Sequence, residues 1–298
     1  MRNFFAVLAI FFSIQLQAWQ HRTENISATS ETILNVADTS TAEYALVAGG
    51  SKGIGYAIAE ALARRKFNLI LIARHQKPLD LAKKTLEQKY KVKVHLLRLD
   101  LAHESTADSV ANWCTQKNIR LKMLCNVAGF GGPRDYLSLP LDSLRYMVRL
   151  NVESCMALSL RLLPLLKKNS PSYILNVASM AGMAPMPKKN LYSATKSAVV
   201  FFSYSLRSQL KDSNISVSCL APGPVFTKPE IVRYTKRNLG LFGMLMAVPP
   251  ERVGEVAVQK TLDGKMMIVP GILSKLSSFV IRLLPKSWMV ALYGASAG

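Results

Sequence analysis

Negative charge is what this sequence has least of. Asp and Glu number 18 against 38 Lys and Arg, a net charge of +20. Such a surplus selects anionic partners: nucleic acid, anionic lipid or a phosphate-bearing ligand. Nucleic acid drops out of that set because the cations are scattered, as at Arg64, Arg65 and Lys66 or Arg233, Lys236 and Arg237, and no stretch interleaves them with stacking aromatics. Cysteine is also sparse. Cys114, Cys125, Cys155 and Cys219 form no C-x-x-C and sit in apolar or helical contexts. That excludes a disulfide framework or a cysteine metal site and reads as buried free thiols in a reducing compartment. His21, His75, His95 and His103 are dispersed, so no metal-ligand spacing exists. No internal repeat is present.

Long apolar runs are missing too. Phe4 to Ile14 is short for a full membrane span. With Arg2 before it and Leu16-Gln17-Ala18 after it, residues 1–19 read as a signal peptide with a poor cleavage site or as an uncleaved anchor helped by Trp19 and Arg22. A start further down the chain is the third reading. Residues 20–42 are polar, rich in Ser and Thr, and read as a linker.

What is present begins at Glu43. Tyr44 to Ala48 is a short apolar run, followed by Gly49-Gly50-Ser51-Lys52-Gly53-Ile54-Gly55 and a helical pattern over Tyr56 to Ala63. Strand, glycine turn and helix together form a phosphate cradle, with the helix N-terminus facing the charge. A second buried-type strand, Asn68 to Ala73, ends at Arg74, where an acid would bind a ribose 2′-hydroxyl. Arg74 with Lys52 suits a 2′-phosphate instead, which makes NADP(H) the expected cofactor over NAD(H). Further strands are expected at Lys93 to Leu99, Leu121 to Cys125, Ser172 to Val177 and Ile215 to Leu220. Helices are expected at Lys77 to Tyr90, Ser105 to Lys117 and Leu141 to Leu166 (ended by Pro164), and a further one carries Tyr192 and Lys196 and extends to about Leu210. Alternating strands and helices predict parallel βαβ winding in the α/β class.

One pair carries acid/base chemistry. Tyr192 and Lys196 are four apart on a predicted helix and share a face, so the cation is expected to lower the phenol's pKa. Alone this Y-x-x-x-K is weak, since a half-buried Tyr and a solvated Lys meet at this spacing in many helices.

Taken together, Ala48 to Gly55, Asp100, Asn126-Val127-Ala128-Gly129, Asn151, Ser179, Tyr192, Lys196 and Pro222-Gly223 resemble the classical short-chain dehydrogenase/reductase family in order and spacing, over about Glu43 to Thr227. Ala48 stands where Thr is usual and Val127 where a second Asn is commoner. The resemblance implies a Rossmann-type doubly wound parallel sheet in a single domain, with the N-terminal hydrophobic segment outside it. It implies that Tyr192 donates the proton, Lys196 tunes it and holds the nicotinamide ribose, Ser179 holds the substrate oxygen, and Asn151 interrupts its helix and holds a water. Gly49, Ser51, Lys52, Gly53, Ile54, Gly55, Arg74, Asp100, Leu101, Asn126, Ala128, Gly129, Pro222, Gly223, Val225 and Thr227 would bind the cofactor, together with Tyr192 and Lys196.

The catalytic domain is then expected over residues 43–270, with a substrate lid at about 228–250. The apolar, sulfur-rich middle of that lid, Leu239, Leu241, Phe242, Met244, Leu245 and Met246, fits a lipophilic carbonyl or equally the core packing of a short helix. Residues 271–298 form a tail in which apolar groups alternate with Lys275, Arg282 and Lys286, suiting dimer or core packing or a membrane contact. The resulting expectation is an NADPH-dependent carbonyl reductase in lipid metabolism, facing the cytoplasm, peripheral to a membrane and homo-oligomeric (dimer or tetramer). A catalytically silent nucleotide-binding scaffold on the same fold is the alternative.

Overall fold

The computed structural model describes residues 42–131, 139–227 and 229–295. The segment 1–19 and the linker up to residue 41 lie outside the described residues. Seven strands form one parallel sheet in the order β3-β2-β1-β4-β5-β6-β7. They are β1 Tyr44–Ala48, β2 Asn68–Ala73, β3 Val94–Arg98, β4 Leu121–Asn126, β5 Ser172–Val177, β6 Ile215–Leu220 and β7 Met267–Ile268. The order reverses between β1 and β4, where doubly wound sheets open a crevice beyond the carboxyl ends of their strands. Tyr44 pairs with Asn68 on one side and Leu121 on the other.

The central strands are mostly apolar on both sides because both faces of the sheet are covered. Along β2, Leu69 and Leu71 point into one core, with Ala45 and Val47 of β1. Ile70 and Ile72 point into the other, with Leu46 and Ala48. Each such fully buried side chain contributes roughly 1.5–3 kcal/mol. The first face is covered by α1 Gly53–Arg64, α2 Gln76–Tyr90 and a later helix, α9 Pro250–Leu262. Between α1 and α9 the approach is close: a Cβ on Gly254 would lie 2.4 Å from the Ala57 carbonyl carbon.

The second face carries α3 Thr106–Gln116 and a broken run in place of the single helix expected over Leu141 to Leu166. That run is α4 Leu141–Val148, a π-helical turn Arg149–Glu153, α5 Ser154–Arg161 and α6 Leu163–Lys168. Pro164 does not end a helix here. It sits in the first turn of α6, where its missing N–H costs no bond. Next come α7 Asn190–Gln209 and α8 Pro229–Met246, which breaks at Gly240 with φ +53°. The tail folds as two helices, α10 Ile272–Leu283 and α11 Lys286–Ala295. Pro285, unable to donate a backbone N–H, falls between them. The two-residue β7 is too short to leave a sequence pattern. No helix among the described residues is long and apolar enough to cross a membrane.

Candidate active site

β5 delivers the chain to Ser179, and a 3₁₀ turn at Met180–Gly182 follows. Ser179 opens that turn by accepting from the Ala181 N–H at 3.2 Å. Its hydroxyl also faces the Tyr192 phenol, whose pKa it lowers. The bland role, a turn cap, and the chemical one are therefore both filled by one side chain. Tyr192 and Lys196 share a face of α7, with Lys196 Nζ 6.0 Å from the Tyr192 ring centroid. Lys196 is buried and donates to the Val177 carbonyl oxygen at 2.8 Å.

The pKa shift of Tyr192 differs from the expectation. Burial pushes the phenol up, and the Ser179 hydroxyl pulls it partly back. Burial also lowers Lys196 from 10.5 to about 8. Four-residue spacing puts the ammonium on the right face, but loss of hydration disfavours both charged forms and outweighs their attraction.

Asn151 lies in the π-helical turn, so it does interrupt its helix. Its Oδ1 accepts from the Phe130 N–H at 2.7 Å, and its Nδ2 donates to Phe130 O at 2.9 Å and to Thr195 Oγ1 at 3.1 Å. The amide is spent on the backbone after β4 and on the residue beside Lys196. The side chain therefore positions those two segments. Gly129 is wedged beside them: a Cβ there would lie 3.2 Å from Lys196 Nζ and 3.4 Å from Asn151 Oδ1.

The glycine turn fits a pyrophosphate cradle. Gly49 has φ +94°, and a Cβ on it would lie 2.8 Å from the Ala128 N, so β1 and β4 meet here backbone to backbone. Gly53 has φ +59° and faces Thr227, whose Cγ2 would lie 3.3 Å from an added Cβ. Thr227 and the buried Val225 follow Pro222 and Gly223 in the segment after β6, opposite the glycine turn. Gly55 serves packing instead, since a Cβ there would strike the Gly49 carbonyl oxygen at 2.0 Å. Ser51 and Ile54 lie half-buried on the turn, Lys52 and Arg74 are exposed, and Leu101 is buried in the second core.

Asn126 departs from its expected place in the cleft. It is buried, and its Nδ2 donates to Asn176 Oδ1 at 2.9 Å and Ser159 Oγ at 3.0 Å, tying β4 to β5 and α5. Asn176 in turn donates to Ser203 Oγ at 3.0 Å. The alternation of β4 puts residue 126 on the face opposite Cys125, where it meets Ser159 and Asn176.

Two residues that sequence patterning does not single out complete the site. Tyr146 on α4 accepts a hydrogen bond from Arg74 Nη1, and the Arg74 Cζ lies 5.7 Å from its ring centroid. Asp100 faces the same hydroxyl and raises its pKa, so one phenol lies beside two expected cofactor residues. Gly182 lets the Ser179 turn press on α7, where a Cβ would lie 2.6 Å from the Lys196 backbone carbon. Both arise from long-range packing, and only the (i, i−5) position of Tyr146 before Asn151 leaves a trace in the chain order.

All four cysteines are buried and free. The family model described as short chain dehydrogenase matches residues 43–237. The chain is 34% identical over 221 residues to the very-long-chain 3-oxoacyl-CoA reductase-B of Danio rerio, covering 69% of this chain and 70% of that protein. It is 33% identical over 195 residues to the very-long-chain 3-oxoacyl-CoA reductase of Macaca fascicularis, covering 64% of this chain and 62% of that one, less than two thirds of the relative's length. Among solved structures, the Pseudomonas aeruginosa RhlG/NADP active-site complex superposes with a TM-score of 0.68 at 26% identity, covering 78% of this chain and 95% of that one.

Proposed function

This chain belongs to the short-chain dehydrogenase family of oxidoreductases, and from that premise we propose that it reduces the 3-keto group of a lipophilic acyl thioester at the expense of NADPH. The paired Ser179 and Tyr192 hydroxyls, with Lys196 on the same helix face, are the observation that carries this reading. The very-long-chain 3-oxoacyl-CoA reductases among its relatives support the substrate class. The Arg74–Tyr146–Asp100 cluster supports NADPH over NADH, because a guanidinium held beside the adenosine end suits a 2′-phosphate.

Gly49, Gly53, Ser51 and Ile54 would hold the pyrophosphate; Arg74 and Lys52 the 2′-phosphate; and Lys196, Val225 and Thr227 the nicotinamide end. When bound, the reduced nicotinamide supplies hydride to the carbonyl carbon. A carbonyl oxygen that accepts from both Ser179 Oγ and Tyr192 Oη is fixed at one point, and the phenol there is protonated at neutral pH because burial raises its pKa. Tyr192 gives up its proton as charge develops on that oxygen. Lys196 keeps a positive charge at neutral pH with its pKa near 8, and of its three donors one is spent on Val177 O. The catalytic domain faces the cytoplasm in this reading, in keeping with four unpaired thiols.

The test compares wild type with Tyr192→Phe. NADPH fluorescence measures binding, and loss of reduced nicotinamide absorbance with a 3-oxoacyl thioester measures turnover. Binding should persist in both, while turnover in the variant falls by roughly 10²–10⁴-fold. Binding without turnover in both proteins, across a panel of ketones, would establish the silent scaffold instead.

A further inference from the structure

Helix α10 is inside out. A surface helix ordinarily turns its apolar stripe to the core and its polar side to water. Here Ser274 and Ser278 are the buried residues, 0% and 5% exposed, together with Ile281. The opposite side carries Ile272, Leu276, Phe279, Val280 and Leu283, with Ile272 82% and Phe279 63% exposed. The spacing 272, 276, 279, 280 and 283 is one continuous helical face. Lys275 and Arg282, seven apart, fall together along one edge of it.

The serines are inside for a reason. Ser274 sits against the loop after β6, where its Oγ would lie 2.7 Å from a Cβ on Gly223, and it donates to Met246 O of α8 at 3.3 Å. Small polar side chains let α10 seat closely on that loop, which accounts for the buried face. They do not account for an outer face of large apolar groups, which folding alone would leave polar. Half of the exposed large apolar side chains among the described residues lie between Ile272 and Leu292 on α10 and α11, including Trp288. Leu241 and Leu245 of α8, the helix against which α10 packs, are exposed too.

The charge pattern names the occupant. From Gly264 to Gly298 there is no Asp or Glu, while Lys265, Lys275, Arg282 and Lys286 are all cations; Ile231 to Pro250 of the α8 region has Arg233, Lys236 and Arg237 and no acid. A two-fold contact between copies would set this patch against itself, placing cation near cation with no anion to meet it. Apolar side chains bordered by cations match the boundary between acyl chains and anionic headgroups. We propose that the α10–α11 face, continued by the tip of α8, docks the enzyme on an anionic lipid surface, with Leu276, Phe279 and Trp288 immersed. The docking face then adjoins the helix expected to close over a lipophilic substrate.

The experiment is partition of the full chain onto vesicles of phosphatidylcholine, with and without phosphatidylserine, read by co-sedimentation and by tryptophan fluorescence. Wild type should bind the anionic vesicles preferentially, with a blue shift that Trp288→Phe removes. The double variant Leu276→Gln, Phe279→Gln should lose binding by roughly tenfold or more, while its NADPH consumption with a water-soluble ketone stays at the wild-type rate. Binding of the double variant equal to wild type would overturn the proposal in favour of another surface or the N-terminal segment. Equal binding to both vesicle types would overturn the anionic occupant. Self-association in lipid-free sedimentation, abolished by the same two substitutions, would replace the membrane by a second copy. Partition is read without turnover, so the proposed reaction stands or falls separately.

Discussion

Replacing Lys196 by Met should stabilise the cofactor-free protein at neutral pH, and the gain should vanish as pH rises. Lys196 is 4% exposed, and burial lowers its pKa from 10.5 to about 8. At about 1.4 kcal/mol per pKa unit, keeping this ammonium charged inside the fold costs on the order of 3 kcal/mol at pH 7, where it is protonated both folded and unfolded. Met fills a similar volume without the charge. Against the gain stands the Val177 carbonyl oxygen, which would lose its 2.8 Å partner; an orphaned buried acceptor costs about 1–3 kcal/mol. The net is a gain of up to about 2 kcal/mol, or up to roughly 8 °C in melting temperature. The sign of the pH dependence follows from proton counting. Between about pH 8 and 10.5 the unfolded chain holds the lysine proton and the folded chain does not, so wild-type stability rises with pH by up to about 3 kcal/mol while that of the variant does not. Urea unfolding of both proteins in steps from about pH 7 to about pH 10 measures this. A stability difference that stays flat across that window would refute a buried lysine that sheds its proton in the fold.

Tyr146→Phe removes the hydroxyl that accepts from Arg74 and faces Asp100. NADPH affinity should fall by about five- to tenfold with NADH affinity unchanged, and fluorescence titration giving equal losses for both would count against a role at the 2′-phosphate. Gly182→Ala puts a Cβ 2.6 Å from the Lys196 backbone carbon, which should cost about 1–3 kcal/mol and lower kcat more than cofactor affinity; unchanged unfolding curves would show that the turn yields. Burial pushes Cys114 and Cys155 up to about 12 and Cys219 to about 11, so native protein at pH 8 should react with a thiol reagent far more slowly than unfolded protein. Fast stoichiometric labelling of the native form would contradict that burial. Phe201, Tyr204 and Leu160 are exposed on α7 and α5, and Phe201→Asp should shift a homo-oligomer toward monomer in light-scattering chromatography, with no shift excluding that face.

The sheet was legible because each central strand is a short apolar run bounded by turn residues, and NLILIA admits little else. The glycine turn and the Ser179, Tyr192 and Lys196 set were legible from order and spacing. What escaped depends on which way a chain turns once packed. Asn126 carries the right residue type at the end of β4, yet only the register of the sheet decides that its amide goes to Asn176 and Ser159. Leu141 to Leu166 has an unbroken helical pattern, and the π-helical turn is visible only in the partners that Asn151 finds on Phe130 and Thr195. In α10 the period was readable but its phase was not. Apolar residues ordinarily mark the inner face, and here the fit of Ser274 against Gly223 reverses it.

The direction of the Tyr192 shift matters for the proposed reaction. A phenol held acidic in the resting enzyme would already carry much of its charge, and the ammonium would stabilise ground state and transition state alike, which does not accelerate chemistry. The structure has burial pushing tyrosine up and lysine down to about 8, so the resting phenol is neutral while Lys196 still carries its charge at neutral pH. As the proton leaves Tyr192 a phenolate forms near Lys196 Nζ, in surroundings where water screens little. The attraction between the two is then greatest at the moment the charge appears. Desolvation thus suits Tyr192 to give its proton and Lys196 to stabilise what remains, a division of labour that spacing alone does not reveal.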